Sequence, residues 1–278
     1  MFALTFGLGA LMVGALFFIL PWFKGLSKWA LLSSWGIKAF ASIILLYVYT
    51  SIYPLRKEAD VFKYYDDGTV LSEIAAEQPA AFTRIMLGTW NAHDLVYLNR
   101  LNYWFRSYDH GISNDNRVVI RVNALLNLVT RGSYGLNLLV FLALSWLGSY
   151  WLFQLFLGLS SSKITSYLCA FLVPSTIFWS SGILKEALLI FAIGGFLYSI
   201  FRLNQRVRWD LFLLGAMCLT LLSFLKIYIL LTLLPIVLIS WLWNRTKSVR
   251  LTIGSVVVIC SLVALSHVLL FPEWSFLS

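Results

Sequence analysis

The stretch Ile164–Phe201, "ITSYLCAFLVPSTIFWSSGILKEALLIFAIGGFLYSIF", is apolar along almost its whole length. As one helix rising about 1.5 Å per residue it would reach about 57 Å, well beyond a hydrocarbon layer of about 30 Å. The chain therefore has to fold back inside it. The only polar interruption is "SSGILKE", where Ser180, Ser181 and Gly182 offer turn chemistry and Lys185 and Glu186 offer charge.

The same logic extends outward. Phe2–Leu20, Leu31–Tyr53, Leu136–Leu159 and Leu251–Phe271 each have the length of a single crossing, with Lys38 near enough to one end of its run to snorkel. Asp210–Trp243 is again too long, and its interruption is Lys226 in "SFLKIY". Composition agrees: 60% of the 278 residues are hydrophobic and 12% charged, which excludes an ordinary water-soluble domain. The expectation is an all-α, polytopic transmembrane helix bundle of about eight spans, 1–278 as one integral-membrane domain. The N-terminal run reads as a retained span, not a signal peptide, because it lacks a basic start and a small-residue cleavage site.

Charge distribution sets the orientation. With the N-terminus outside, the cytoplasmic connections collect Lys24, Lys28, Lys38, Lys163, Arg202, Arg206, Arg208, Arg245, Lys247 and Arg250. The connection 51–135, between spans 2 and 3, falls outside with nine basic and nine acidic residues. The net charge of +9 is scattered between apolar runs and forms no basic stripe, so nucleic acid is not an expected partner. Cys169, Cys218 and Cys260 lie in apolar runs and read as packing residues.

The 51–135 connection is expected to be an ordered, partly helical extracytoplasmic loop. "EIAAEQPAAFTRIMLGTW" reads as helices interrupted at Pro79, and "DLVYLNRLNYWFRSY" places Leu95, Leu98, Leu101 and Phe105 on one face, either in the headgroup zone or against neighbouring helices. "SNDNRVVIRVNALLNLVT" begins with N-cap chemistry and carries Val118, Val119, Val122, Leu125, Leu126 and Val129.

Candidate chemistry lies in "ADVFKYYDDGTVL". Asp60 follows the end of the second span by seven residues and suits a general base at the membrane surface, or a helix N-cap. Asp66 and Asp67 are candidate catalytic partners, or simply a "DDG" turn. With His93 and Asp94 they form a possible oxygen-rich site for a divalent cation. Lys185, Glu186 and Lys226 sit at apolar boundaries where charge is costly, and either pair or bind substrate; a lipid phosphate suits Lys226. His93 and His110 otherwise read as ordinary polar loop residues, and His267 as a lone histidine inside a span.

The segments "ADVFKYYDDG", "NDNRVVIRVNALL", "PSTIFWSSGILKEALLIF" and "FLKIYILLTLLP" together resemble the integral-membrane glycosyltransferases of the GT-C superfamily, nearest to bacterial members of surface-polysaccharide systems, for which this chain is short. The resemblance implies residence in the bacterial plasma membrane and sugar transfer from a polyprenyl-phosphate donor to a glycan or lipid-linked acceptor outside the cytoplasm. It implies Asp60 as base or cation holder, and Lys185 and Lys226 as phosphate contacts. A polysaccharide polymerase, a lipid-linked glycan flippase and a non-catalytic membrane subunit are the alternatives.

Overall fold

The computed structural model describes residues 2–19, 23–52, 55–56, 59–105, 115–160, 162–251, 253–258 and 261. Their α-helices include α1 (Phe2–Ile19), α2 (Lys28–Ser51), α3 (Asp60–Glu77), α4 (Pro79–Leu87), α5 (Leu95–Leu98), α6 (Asp115–Thr130), α7 (Tyr134–Leu159), α8 (Lys163–Phe171), α9 (Pro174–Trp179), α10 (Lys185–Leu203), α11 (Trp209–Leu225) and α12 (Ile227–Thr246), and 249–251 and 253–258 are helical as well. No strand occurs among the described residues, so the fold is all-α. α2, α7 and α10 are long and apolar enough to cross a membrane; the apolar stretches of α1, α11 and α12 are shorter. Most of the expected last span, with His267 and Cys260, lies outside the described residues, as does His110.

The long apolar run folds back where its polar residues stand, but in pieces. α8 ends before Leu172 and Val173, and Pro174 opens α9, where its missing N–H costs no helical bond. The chain climbs along α2: the Tyr167 hydroxyl meets Ser33 Oγ at 2.9 Å, and the Lys38 ammonium donates to Ser180 Oγ at 2.7 Å. Ser180, Ser181, Ile183 and Leu184 then reverse the chain while almost wholly buried. A buried turn has to satisfy its own polar groups. Ser145 of α7 donates to the Ser180 carbonyl at 2.8 Å, and Ser181 Oγ donates to the Ile177 carbonyl at 2.6 Å. Lys38 thus differs from the snorkelling residue of the sequence reading. It is buried within α2, holding the reversal from the side.

α7 and α10 cross with their backbones in contact. A Cβ added at Gly194 would lie 2.1 Å from the Gly148 carbonyl oxygen, and one at Gly148 would lie 2.4 Å from that of Ile190. Without a hydrophobic drive between helices in lipid, such small-residue crossings supply the close packing that holds spans together. Flanking them, Trp151 packs on Phe191 and Tyr198, and Phe141, Trp146 and Phe153 fill the centre.

A second reversal falls at Lys226, the one residue between α11 and α12. Val237, Leu238 and Trp241 of α12 line a shared groove with Arg206 and Val207, just before α11, so α12 returns toward the end where α11 began. Lys24, whose carbonyl accepts from Tyr150 and Gln154 near the end of α7, lies at the far end of the bundle from Ser180 and Lys185.

The 51–135 segment packs as a helical layer on this bundle. α3 lies on α6 so closely that a Cβ at Gly68 would sit 2.5 Å from that of Asn123. The expected "DDG" turn is therefore the middle of α3, with Gly68 needed for contact, not for bending. On α6, Asn116, Val119, Ile120, Asn123, Ala124 and Asn127 face inward, while Leu125 and Val129 are exposed. The reason is a buried amide ladder. Asn137 of α7 donates to Asn123 Oδ1 at 3.2 Å and Asn127 Oδ1 at 2.8 Å, Thr130 donates to Asn137 Oδ1 at 2.7 Å, and Asn127 donates to Thr69 of α3 at 3.1 Å. After one turn of α5 the chain is irregular to Phe105, with Leu98, Leu101 and Trp104 buried, so this stretch packs against neighbours instead of lying as a surface helix.

Gly194→Leu should separate α7 from α10 and lower detergent-solubilised stability by about 3 kcal/mol or more, the scale of severe overpacking. Gly36→Ala, where a Cβ meets nothing within 4 Å, serves as control and should stabilise by up to about 1 kcal/mol through helix propensity. Thermal unfolding monitored by circular dichroism reads both.

Candidate functional site

Two helix N-termini meet at the end of the bundle where the second half of the chain reverses, beside an early turn of α3. Asp115 opens α6, Lys185 opens α10, and their side chains pair at 2.6 Å while both are largely buried. The same ammonium lies 5.9 Å from the ring of Tyr64, one turn into α3, whose first residue is Asp60. Glu186 is 3.5 Å from Lys226, at the α11–α12 junction. Lys185 and Glu186, adjacent in sequence, consequently pair with different elements and not with each other. Together these links make a belt from α3 through α6 and α10 to Lys226.

The partial positive ends of α6 and α10 face this belt, an arrangement that favours anions. A resident carboxylate already uses that field: Asp115 stands in the first turn of α6, as Asp60 does in α3. Asp60 also accepts from Lys63 at 2.8 Å, one turn along α3, and its side chain remains 46% exposed. Lys63 in turn lies 5.6 Å from the Tyr103 ring. Burial, joined by Asp67, Asp66 and Asp60 and opposed by Lys63, raises the Tyr103 phenol above its ordinary range.

The remaining sequence candidates stand apart from each other. Asp66 takes a bidentate hydrogen-bonded pair from Arg56, at 2.9 and 2.7 Å, and that guanidinium covers the Phe62 ring at 4.0 Å. Asp67 points the other way and is fully buried. Its two oxygens accept the backbone N–H groups of Asn102 and Tyr103 at 3.0 and 2.7 Å, pinning the irregular stretch to α3. Burial raises its pKa above the usual carboxylate value in spite of those bonds. Asp94 is buried under a fork from Arg84, at 2.9 and 2.5 Å, and caps its own turn by accepting from the Asn91 N–H. The Arg84 bonds hold its pKa down, at about 2. His93 beside it is exposed. No group of three histidine, cysteine or acidic side chains gathers among the described residues. The cation site sketched from Asp66, Asp67, His93 and Asp94 is thus dispersed among separate structural pairings.

Several partners were not singled out from the sequence. Lys63 stands three residues after Asp60, a helical pairing distance that was readable. Asp115 reads from the sequence only as N-cap chemistry, and nothing local links it to Lys185 seventy residues on. Arg56 and Arg84 each bind an acid ten residues away, a spacing without a helical signature. No family model, curated protein or solved structure matches this chain.

Asp67→Ala should free the 101–104 stretch and destabilise the protein by about 2–3 kcal/mol, since two charge-assisted hydrogen bonds disappear. Asp66→Ala, at an exposed pair, should cost about 1 kcal/mol or less. Because the folded pKa of Asp94 is depressed, its contribution is complete above the ordinary value of 3.8 and is lost as pH falls through about 2. Hydrogen exchange at residues 84–95 should therefore accelerate between those values, and Asp94→Asn should remove that dependence.

Proposed function

We propose that this chain is a membrane-embedded glycosyltransferase that moves a sugar from a polyprenyl-phosphate donor to a hydroxyl of a glycan or lipid-linked acceptor. The observation that carries the reading is the pairing of Lys185 with Asp115 where α6 and α10 begin, beside Tyr64 of the helix that Asp60 opens, with the neighbouring Glu186 linked to Lys226. In this reading the chain crosses the membrane about eight times. The belt faces the extracytoplasmic side, by the distribution of Lys and Arg between the two ends.

The chemistry assigns one role to each group. Asp60 accepts the proton of the acceptor hydroxyl as its oxygen bonds to the anomeric carbon; the bond from that carbon to the phosphate oxygen breaks, with inversion, and polyprenyl phosphate leaves with the electron pair. The helix N-termini and Lys185 stabilise the charge that gathers on the leaving phosphate, and Lys226 supports it from the next junction. Asp115 and Glu186 keep both lysines in place before the donor arrives. Asp66, Asp67, His93 and Asp94 shape the surrounding layer.

A transporter or flippase for a lipid-linked glycan is the second reading, and Lys38 favours it. A lysine buried about 15 Å into an apolar helix is the kind of residue that lines transport paths.

In membranes given radiolabelled polyprenyl-phosphate sugar, Asp60→Asn should lower transfer by about 100-fold or more and Lys185→Ala by about tenfold, the usual scales for a general base and a charge contact. Undiminished transfer by Asp60→Asn would reject the assigned base. Movement of a lipid-linked glycan across vesicles without bond formation, abolished by Lys38→Met, would instead establish the second reading.

A further inference from the structure

The end of the bundle opposite the belt carries a second group of cations. Arg202, in the last turn of α10, stands about 25 Å along that helix from Lys185. The Arg206 N–H donates to the Arg202 carbonyl at 2.9 Å, a helical spacing that sets the two residues one turn apart, where like charges repel. No acid meets either of them among the described residues. Arg202 donates to the Tyr198 hydroxyl at 3.3 Å and to Gln205 Oε1 at 3.4 Å, both long bonds to neutral groups. The Arg206 guanidinium makes no hydrogen bond or ion pair among the described residues. Asp210, the acid of this connection, is already held by a fork from Arg208 at 3.0 and 2.8 Å.

Two recesses meet at Gln205 and Arg206. The smaller, about 240 Å3, lies against Tyr198, Arg202 and Arg208. The larger, about 680 Å3, runs along α12 past Trp241, Leu238 and Val237, with Ile200 and Leu203 of α10 also in its wall. Apolar surface thus continues directly from the guanidinium groups. Around the mouth Val207 and Trp209 are 89% and 81% exposed, and Trp241 is about half exposed. A small anion in water would leave these side chains wet, whereas the headgroup level of a bilayer is where tryptophan settles. Two unopposed guanidinium groups beside an apolar wall are complementary to an amphiphile whose head is an anion.

The geometry points to a binding site for one anionic phospholipid of the leaflet at this end, its phosphate between Arg202 and Arg206 and its acyl chains along Val237 and Leu238. This rests on the membrane reading above but not on glycosyl transfer, because the length of α10 separates it from Lys185 and the belt. In the orientation read from the Lys and Arg distribution this leaflet is the cytoplasmic one, where anionic lipids concentrate. The lipid supplies the acceptor that Arg206 lacks and offsets its repulsion with Arg202. It also ties the connection between α10 and α11 to α12.

The test is native mass spectrometry of the delipidated full chain in detergent, titrated with phosphatidylglycerol or phosphatidylcholine. Phosphatidylglycerol should bind one site at least about tenfold tighter, since each basic side chain near an anionic head contributes about fivefold. Arg206→Gln should lower that preference about fivefold, and Arg202→Gln combined with it should abolish the preference, while phosphatidylcholine binding stays unchanged. Both arginines are exposed and neither braces the core, so these variants keep the fold. Lys163→Gln removes the same charge from an exposed position on α8 and should leave the preference intact. Equal affinity for the two lipids, or a preference unaltered in the double variant, overturns the proposal. So does an equal loss in Lys163→Gln, which would mark diffuse charge, or displacement of phosphatidylglycerol by millimolar inorganic phosphate, which would mark a simple anion site. Sedimentation of the expressed chain with the membrane fraction is scored separately: recovery in the soluble fraction would overturn the membrane reading and the site with it.

Discussion

The hydrogen bond from the Lys38 ammonium to Ser180 Oγ fixes where the second half of the chain turns, and most of the arrangement follows from it. A reversal inside an apolar bundle has no water to satisfy its backbone, so neighbouring helices have to provide the partners. Ser145 of α7 provides one for the Ser180 carbonyl, and Lys38 of α2 holds the Ser180 hydroxyl from the other side. Held there, the turn delivers Lys185 and Glu186 to the place where α6 begins. The buried cation is costly in itself. That cost makes the pairing of α2 with the turn specific, because no surface position offers Lys38 the same hydroxyl in the same place.

The charged groups of the site follow one pattern: each is matched with a residue on another element or one turn away. Asp115 with Lys185 joins α6 to α10, Glu186 with Lys226 joins α10 to the α11–α12 junction, and Arg100 with Glu73 and Glu77 ties the irregular stretch to α3. Pairs of this kind restrain separate segments at small net gain, since desolvation cancels much of the attraction. They also leave the belt electrically balanced. In the proposed reading an anionic donor has to compete with Asp115 and Glu186, which selects for a charge as dense as that of a phosphate.

Much of the fold is legible in the sequence because hydrocarbon length is a hard limit. A 38-residue apolar run has to reverse, and "SSGILKE" is where its polar atoms are. The break at Pro79 and the helix after Ser113 are readable for similar local reasons. What sequence could not show depends on partners far along the chain. Lys38 looks like a snorkelling residue until Ser180, 142 residues later, is placed against it. On α6, hydrophobic periodicity takes no account of asparagines that satisfy one another. "DDG" resembles a turn, yet Gly68 serves the close approach of two helices. At the site, residue types announced charge near the membrane boundary, but which acid each lysine meets is a property of the packing.

The amide ladder has a mechanical consequence. Asn137, Asn123, Asn127 and Thr69 interlock through short side chains with fixed bond directions, so α3, α6 and α7 cannot rotate about their axes independently. Greasy interfaces tolerate sliding by a fraction of a turn, whereas a row of carboxamides admits one angular setting. The acids of α3 are thereby indexed to the bundle like teeth on meshed gears, and any movement that opens this end of the molecule has to carry the three helices as a single body.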